Sequence, residues 1–395
     1  MPSSLSTSLV TLLAQASGAS DPGALDARLP HLCRGVEALS QLFTRERQGL
    51  RSSYLDQEQL RAAYLAYYLP VNIAKVRVLL EEMPLPRAGG PLRVLDLGGG
   101  IGTTGLALLE WLQSTQALRG VEGEVVAVER SVQALAEYER LWASYRAIGK
   151  GPSLRLVTVK GDIGGWGAGK VPASVAERTY DLIVLGNVVN ELFPDARDPI
   201  ERRAHLLREL IGLLDQQGTM MILEPALRET SRALLQLRNR LVADGACNVY
   251  SPCLHEHPCP ALVKEEDWCH EERPWEPPPI VAAIDQRVGF IKDALKFSYL
   301  LLRKDGRTMV PHSPDVYRVV SELRVMKGEK RAWLCNETGR PEVGRQDRLK
   351  SESNASVDDW HRGAIVRIDQ IVRKNREGGL GRIPVDATVQ IVRPV

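Results

Sequence analysis

Apolar residues recur at helical spacing through the first fifth of the chain. From about residue 20 to 85 the pattern is that of helices, clearest in LDQEQLRAAYLAYYLPVNIAKVRVLLEEM (Leu55–Met83). There the three- and four-residue spacing gathers leucine, valine and tyrosine on one face. Pro70 is expected to end or kink one of these helices, because it lacks an amide proton and crowds the preceding turn. PLPRAGG (Pro84–Gly90) interrupts the pattern as a linker. Beyond it, short apolar runs alternate with helical segments. LRVLDLGGG, GEVVAVER, LRLVTVKGD, YDLIVLGNVV and GTMMILEP read as five buried strands, separated by helices such as TTGLALLEWLQ and ERRAHLLRELIGLL. Strands apolar on both faces and joined by helices predict an α/β fold with a parallel sheet covered on both sides.

Another helix, RETSRALLQLRNRLVADG, is followed by irregular, proline-rich sequence through RPWEPPP, and LKFSYLLLRK is again strand-like. The last stretch differs in kind. YRVVSELRVMKGEKRAWLC, GAIVRIDQIVRK and IPVDATVQIVRP are strand patterns with turn residues and no long helix between them, which predicts a small antiparallel sheet or barrel. The expected organisation is an N-terminal helical region (1–89), the α/β domain (90–245), a cysteine-rich segment with the final strand of the sheet (246–304), and a C-terminal β domain (305–395).

Composition adds a partner class and a compartment. The 395 residues carry a net charge of only +2, unevenly placed. From Arg318 to Val395 there are 16 Lys and Arg against 11 Asp and Glu, a balance of +5 that leaves −3 for the remainder. A basic tail on a near-neutral body is compatible with a polyanion such as RNA, although an ordinary solvated surface accounts for the same excess. No apolar run reaches the roughly 18 residues that a membrane span needs. The serine-rich start, MPSSLSTSLVTLLAQASGAS, has no Lys or Arg and is read as the frayed beginning of the helical region, not a targeting signal. A cytoplasmic chain is therefore expected, in which thiols stay reduced and a disulfide framework is unfavourable.

The glycine-rich turn VLDLGGGIGTTG leaves a strand and opens a helix, so its amides can face a ligand. Gly100, Gly102 and Gly105 fit the dinucleotide pattern G-x-G-x-x-G. Asp96, Gly98, Gly100 and Gly102 also fit D-x-G-x-G-x-G, which resembles the first motif of S-adenosylmethionine (SAM) methyltransferases. The acid favours the second reading, since a carboxylate repels a pyrophosphate and attracts the cationic methionine end of SAM. Glu129 ends the second strand, where an acid can hold ribose hydroxyls. Asp162 follows the third strand, where such enzymes often contact the adenine amine. The sheet is thus expected to be a Rossmann-like class I SAM methyltransferase fold. After the fourth strand, LGNVVNELFP lacks the Asn-Pro-Pro-aromatic motif of amino-directed nucleic-acid methyltransferases. Asn187, Asn190 and Glu191 are the polar candidates for the acceptor side, and Asn190 and Glu191 would equally serve to start a helix.

Ser251–Arg273, SPCLHEHPCPALVKEEDWCHEER, concentrates three of the chain's six cysteines and three of its seven histidines. Cys253, Cys259 and Cys269 have the spacing C-x5-C-x9-C, and Cys335 comes 66 residues later. Zinc sites commonly use tighter pairs, and four thiolates on irregular backbone suit an iron–sulfur cluster equally well. Buried, unliganded thiols or a Pro-Cys nucleophile are the other readings of the same residues.

This segment resembles the signature of the mitochondrial small-ribosomal-subunit methyltransferase-like protein family, which has bacterial members. Pro252-Cys253-Leu254-His255, Cys259-Pro260, Trp268-Cys269-His270 and Lys296-Phe297-Ser298-Tyr299 match its series, and Cys335 in RAWLCNETG matches its downstream cysteine. The likeness covers roughly residues 50–340; GNVVNEL departs from it, and so does the chain after Gly339. The resemblance implies a [4Fe–4S] cluster on Cys253, Cys259, Cys269 and Cys335, with zinc as the alternative. It also implies a SAM fold that docks on small-subunit rRNA, in catalysis or in assembly. A small-molecule or peptide methyltransferase and a non-catalytic ribosome-binding factor are the competing readings.

Overall fold

The computed structural model describes residues 4–19, 21–46, 54–86, 89–148, 152–166, 171–290, 293–373 and 379–395. Part of the expected linker, Arg87 and Ala88, lies outside these residues, as does the start of the chain before Ser4.

The N-terminal region comprises α1 (Thr7–Ala16), α2 (Pro22–Thr44), α3 (Glu58–Ala63) and α4 (Leu69–Glu82). Ser6 caps α1 and Asp21 caps α2, each accepting from a first-turn amide. Pro70 neither ends nor breaks the helical run. A π turn over Tyr64–Tyr68 joins α3 to α4, and the Leu69 amide donates to the Tyr64 carbonyl. The widened turn relieves the clash that a proline ring makes with the turn before it.

The α/β domain follows with β1 (Leu92–Leu97), α5 (Thr103–Ser114), β2 (Glu122–Glu129), α6 (Val132–Ile148), β3 (Ser153–Lys160), α7 (Ala173–Ala176), β4 (Tyr180–Gly186), α8 (Pro199–Gly212), β5 (Leu214–Pro225) and α9 (Arg228–Ala243). Then come β6 (Asn248–Ser251), β7 (Glu271–Pro274), α10 (Pro279–Val288) and β8 (Ala294–Arg303). The sheet order is β3-β2-β1-β4-β5-β8-β6, with β7 paired to β8. Neighbours among β1–β5 are parallel, whereas β8 runs antiparallel to β5, β6 and β7. Strand order reverses at β1 and β4, and doubly wound sheets bind ligands outside such a switch point. Alternate residues serve two cores. Val94, Val125 and Val184 pack with the N-terminal helices and α5 and α6, and Leu95, Val126 and Leu185 pack with α8 and α9.

The C-terminal domain holds β9 (Val316–Val319), β10 (Arg324–Met326), β11 (Glu329–Cys335), β12 (Glu342–Gln346), β13 (Ile365–Ile368), β14 (Val372–Arg373), β15 (Gly381–Arg382) and β16 (Val389–Arg393). Its sheet order is β14-β15-β12-β11-β9-β13-β16, with β10 paired to β11. The expected antiparallel sheet is present with one correction: β12 and β15 pair in parallel, because a long connection carries the chain back across the sheet. Trp360, Val319 and Leu334 centre a separate core. The tail's positive balance is not a field of free cations. Among the described residues ten of its basic side chains form ion pairs, including Arg345, Lys330 and Lys350 on Asp358 and Arg382 on Glu329.

Candidate functional site

Gly98, Gly100 and Gly102 all adopt the left-handed backbone, with φ of +69°, +52° and +103°. Only glycine does so freely, and these three reverse the chain between β1 and α5. The amides of Gly98 and Gly99 donate to the Val128 carbonyl, and the Gly100 amide donates to Glu129 Oε2 at 3.1 Å. Glu129 Oε1 accepts from the Ser131 amide at 2.9 Å. The carboxylate at the end of β2 is therefore fixed in place, with further lone pairs to offer a ligand.

These groups edge a cleft of about 550 Å³, within the range that holds a cofactor-sized molecule. Gly98, Gly100, Glu129, Asp162, Asn187, Asn190 and Glu191 line it. Asp162 also caps the short turn after β3, accepting from the Gly164 amide at 2.9 Å. Asn187 stands in the left-handed region, φ +59°, with its amide donating to the Leu223 carbonyl at 2.7 Å.

Asp96 and Gly102 are not among the lining residues. Asp96 is buried behind the loop, where its Oδ2 accepts from the Tyr138 hydroxyl at 3.1 Å. Burial pushes its carboxyl up to about 7 despite hydrogen bonds from Thr104 and Tyr138. The physical reason is packing: a side chain at Gly102 would strike the Tyr138 ring at 2.6 Å, so the loop lies against α6 and Asp96 is enclosed with it. Direct attraction between Asp96 and a ligand cation is thus replaced by support of the loop from behind.

Asn190 begins no helix of any length, only a single turn over Val189–Glu191. Its amide donates to Glu224 Oε1 at 3.2 Å and its side chain donates to Glu224 Oε2, while Arg203 donates to its carbonyl at 3.0 Å. Glu224, next to last in β5, is buried, and that burial raises its carboxyl to about 8. The one signal for Glu224 in the chain was an acid inside the otherwise apolar MMILEP. Tyr54 and Tyr64 bring the N-terminal region to the cleft, a contribution that helical periodicity could not reveal.

A second cavity is lined by Cys253, Cys259, Cys269 and Cys335 together, with Arg318, Arg340 and Arg362. Cys253, Cys259 and Cys269 come from the segment between β6 and β7, and Cys335 ends β11, so the site spans both domains. Burial pushes the Cys259 thiol up to about 12, and Cys253 and Cys269 raise it further by repulsion. The Cys335 thiol is raised by burial and then by all three of the others. Among the described residues, no group of three or more His, Cys, Asp or Glu side chains is drawn together as the ligands of a metal ion. Cys33 and Cys247 lie elsewhere, in α2 and just before β6.

Beside this cavity a buried network crosses the domains. Glu82 at the end of α4 accepts from Ser251, Tyr299 and Arg273. Arg273 also pairs with Glu271 at 2.8 Å, and Arg318 of β9 pairs with Glu271 at 2.5 Å. No helix among the described residues is long and apolar enough to cross a membrane.

A family model described as the mitochondrial small ribosomal subunit Rsm22 matches residues 58–345. Comparison with curated proteins finds no match. Among solved structures, a magnesium protoporphyrin IX methyltransferase from Synechocystis PCC 6803 is 12% identical with a TM-score of 0.34, covering 68% of this chain and 97% of its own. The mitomycin 7-O-methyltransferase MmcR is 14% identical with a TM-score of 0.37, covering 75% of each chain. The CMeT domain of the citrinin polyketide synthase is 16% identical with a TM-score of 0.38, covering 72% of this chain and 69% of its own.

Proposed function

The chain belongs to the family of the mitochondrial small ribosomal subunit protein Rsm22, and on that premise we propose a SAM-dependent methyltransferase-like protein that acts on, or assists assembly of, the small ribosomal subunit by docking on its rRNA. The observation that carries the reading is the cleft at the switch point of the sheet, where the glycine turn, Glu129, Asp162 and Asn187 converge.

Within it, the amides of the glycine turn and the start of α5 would hold the methionine end of SAM, Glu129 the ribose hydroxyls, and Asp162 the adenine side. When bound, SAM supplies an electrophilic methyl group. This chain's own residues bind it, orient the acceptor near Asn187 and Asn190, and exclude water beneath Tyr54 and Tyr64. The cleft's carboxylates, Glu129, Asp162 and Glu191, disfavour a phosphate inside it. An RNA acceptor would therefore present a base or sugar group and leave its backbone at the rim.

Four cysteines lining one cavity support an iron–sulfur cluster as the second part of this reading. The Cys259, Cys269 and Cys335 thiols, raised by burial and then by neighbouring cysteines, need a cationic centre to become thiolates together, and a four-thiolate set is the ordinary donor set of a [4Fe–4S] core. Arg340 and Arg362, although paired with Asp267 and Glu272, face the thiols and would offset part of the negative charge of such a ligated set. Its role would be structural, stapling the loop after β6 to β11. A non-catalytic binding factor is the second reading, favoured by the way Glu224 and Arg203 tie down Asn190 on the acceptor side.

Calorimetry with SAM, together with RNA co-purification, tests the first part. Binding that is abolished by Glu129→Ala, with small-subunit rRNA retained, is the expected result. Full SAM affinity in that variant overturns the cleft assignment. Transfer of labelled methyl groups to purified small subunits separates enzyme from binding factor.

A further inference from the structure

Resting on the iron–sulfur reading above, we infer that His255 is a positioning and tuning residue for the cluster, donating a hydrogen bond from Nε2–H to the sulfur of Cys335. His255 lies in the loop after β6, two residues beyond Cys253, and is only 3% exposed. Its Nε2 is 3.8 Å from Cys335 Sγ, within the reach of an N–H···S bond. The loop cannot easily turn the ring away. Arg238, fully buried on α9, donates to the backbone carbonyls of both His255 and His257.

The tautomer follows from the ring's two sides. Nδ1 is turned to the His257 backbone, whose carbonyl accepts from Arg238 at 2.5 Å and keeps a second lone pair. A ligated cysteine is a thiolate and can only accept. The ring nitrogen that faces such a sulfur must therefore carry a proton, which puts an N–H on Nε2.

A hydrogen bond to a ligating sulfur withdraws electron density and stabilises the reduced cluster, raising its reduction potential. His257, ring-stacked on His255 at 6.3 Å but itself exposed, has no hydrogen bond to a cysteine and is the internal control.

The test uses the full chain purified anaerobically, with iron and sulfide assayed first. The midpoint potential is then measured by EPR-monitored redox titration for the wild type and for His255→Leu, His255→Gln and His257→Leu. Losing the donor in His255→Leu should shift the reduced-to-oxidised ratio at a given potential about tenfold toward oxidised, ~59 mV for a one-electron couple. His255→Gln keeps an N–H at similar reach and should recover most of the shift, and His257→Leu should leave the potential unchanged. Equal potentials in wild type and His255→Leu, or an equal shift in His257→Leu, overturn the inference. If His255→Leu fails to hold iron, resonance Raman of the wild type decides. Fe–S stretching bands that move on transfer to D2O support the bond, and bands that stay fixed overturn it. Iron-free wild-type protein overturns the cluster reading itself.

Discussion

Tyr138 of α6 donates its hydroxyl to Asp96 at the end of β1, 3.1 Å away, and the glycine turn packs on that pair. Behind the turn, Asp96 has its carboxyl raised by burial to about 7, so near neutrality it is poised between acid and carboxylate. Asp96→Asn should accordingly be tolerated at pH 7, while Tyr138→Phe leaves a buried carboxyl one donor short and should cost about 1–3 kcal/mol. Urea unfolding measures both; a severe loss confined to Asp96→Asn would show that a charge is required there.

Glycine substitutions should separate folding from binding. A side chain at Gly98 meets Val188 Cγ2 at 2.8 Å, whereas one at Gly100 finds nothing nearer than Leu55 at 3.7 Å and projects into the cleft. Both incur about 1–2 kcal/mol for a left-handed backbone. Gly98→Ala should lose more stability than that, and Gly100→Ala should lose SAM affinity out of proportion to stability. Thermal melts beside calorimetry distinguish them, and the reverse ranking would refute the cleft's geometry.

The two raised carboxyls make the free protein pH-sensitive. Asp96 near 7 and Glu224 near 8 both hold protons in the fold that they would release when unfolded, where their values are 3.8 and 4.5. Their contribution to stability is fully present below about pH 4 and is lost as pH rises through about 7 and 8. Each contributes a slope of up to ~1.4 kcal/mol per pH unit within its window. Between pH 6 and 8, Glu224→Gln should flatten the wild-type decline in stability; an unchanged slope would mean that Glu224 ionises normally.

The domain junction should fail as a unit. Removing Arg318 leaves Glu271 and Glu82 to share Arg273 alone in a buried site, and breaking one partner of such a network costs up to about 3–5 kcal/mol. Arg318→Ala should raise protease sensitivity near β9, and Cys335→Ser should do the same while losing iron. Cys33→Ser and Cys247→Ser should keep it, and iron retained in Cys335→Ser would rule that ligand out.

RNA affinity should depend on the few basic residues of the tail that form no ion pair. Among the described ones are Lys327, Arg373 and Arg393, whereas Arg382 and Arg345 are held by Glu329 and Asp358. Replacing the first three by alanine should lower the slope of log affinity against log salt by about 0.7–0.9 for each phosphate that is no longer neutralised. Arg382→Ala should weaken folding and leave that slope alone. An unaltered slope in the triple variant would place the RNA elsewhere.

How much was legible depended on whether a local pattern carried the information. The parallel strands, the glycine turn and the convergence of Glu129, Asp162 and Asn187 follow from apolar runs whose ends face one edge of a sheet. The enclosure of Asp96 does not, because it depends on Tyr138 packing from 42 residues away. Helix α10 was hidden behind proline-rich sequence, although Pro278 and Pro279 sit before and at its first turn, where proline is tolerated. The parallel pairing of β12 with β15 and the reach of Glu82 to Ser251 are set by tertiary packing alone.

Cys335 lies 66 residues beyond Cys269, and this distance imposes an order in time. At about 5–20 residues per second, the last cysteine leaves the ribosome roughly 3–13 s after the third. During that interval the nascent chain offers three of the cavity's four thiols and no β11. The cavity can be completed only once the tail has folded back onto the loop, so a finished site certifies that synthesis has passed the second domain's central strand.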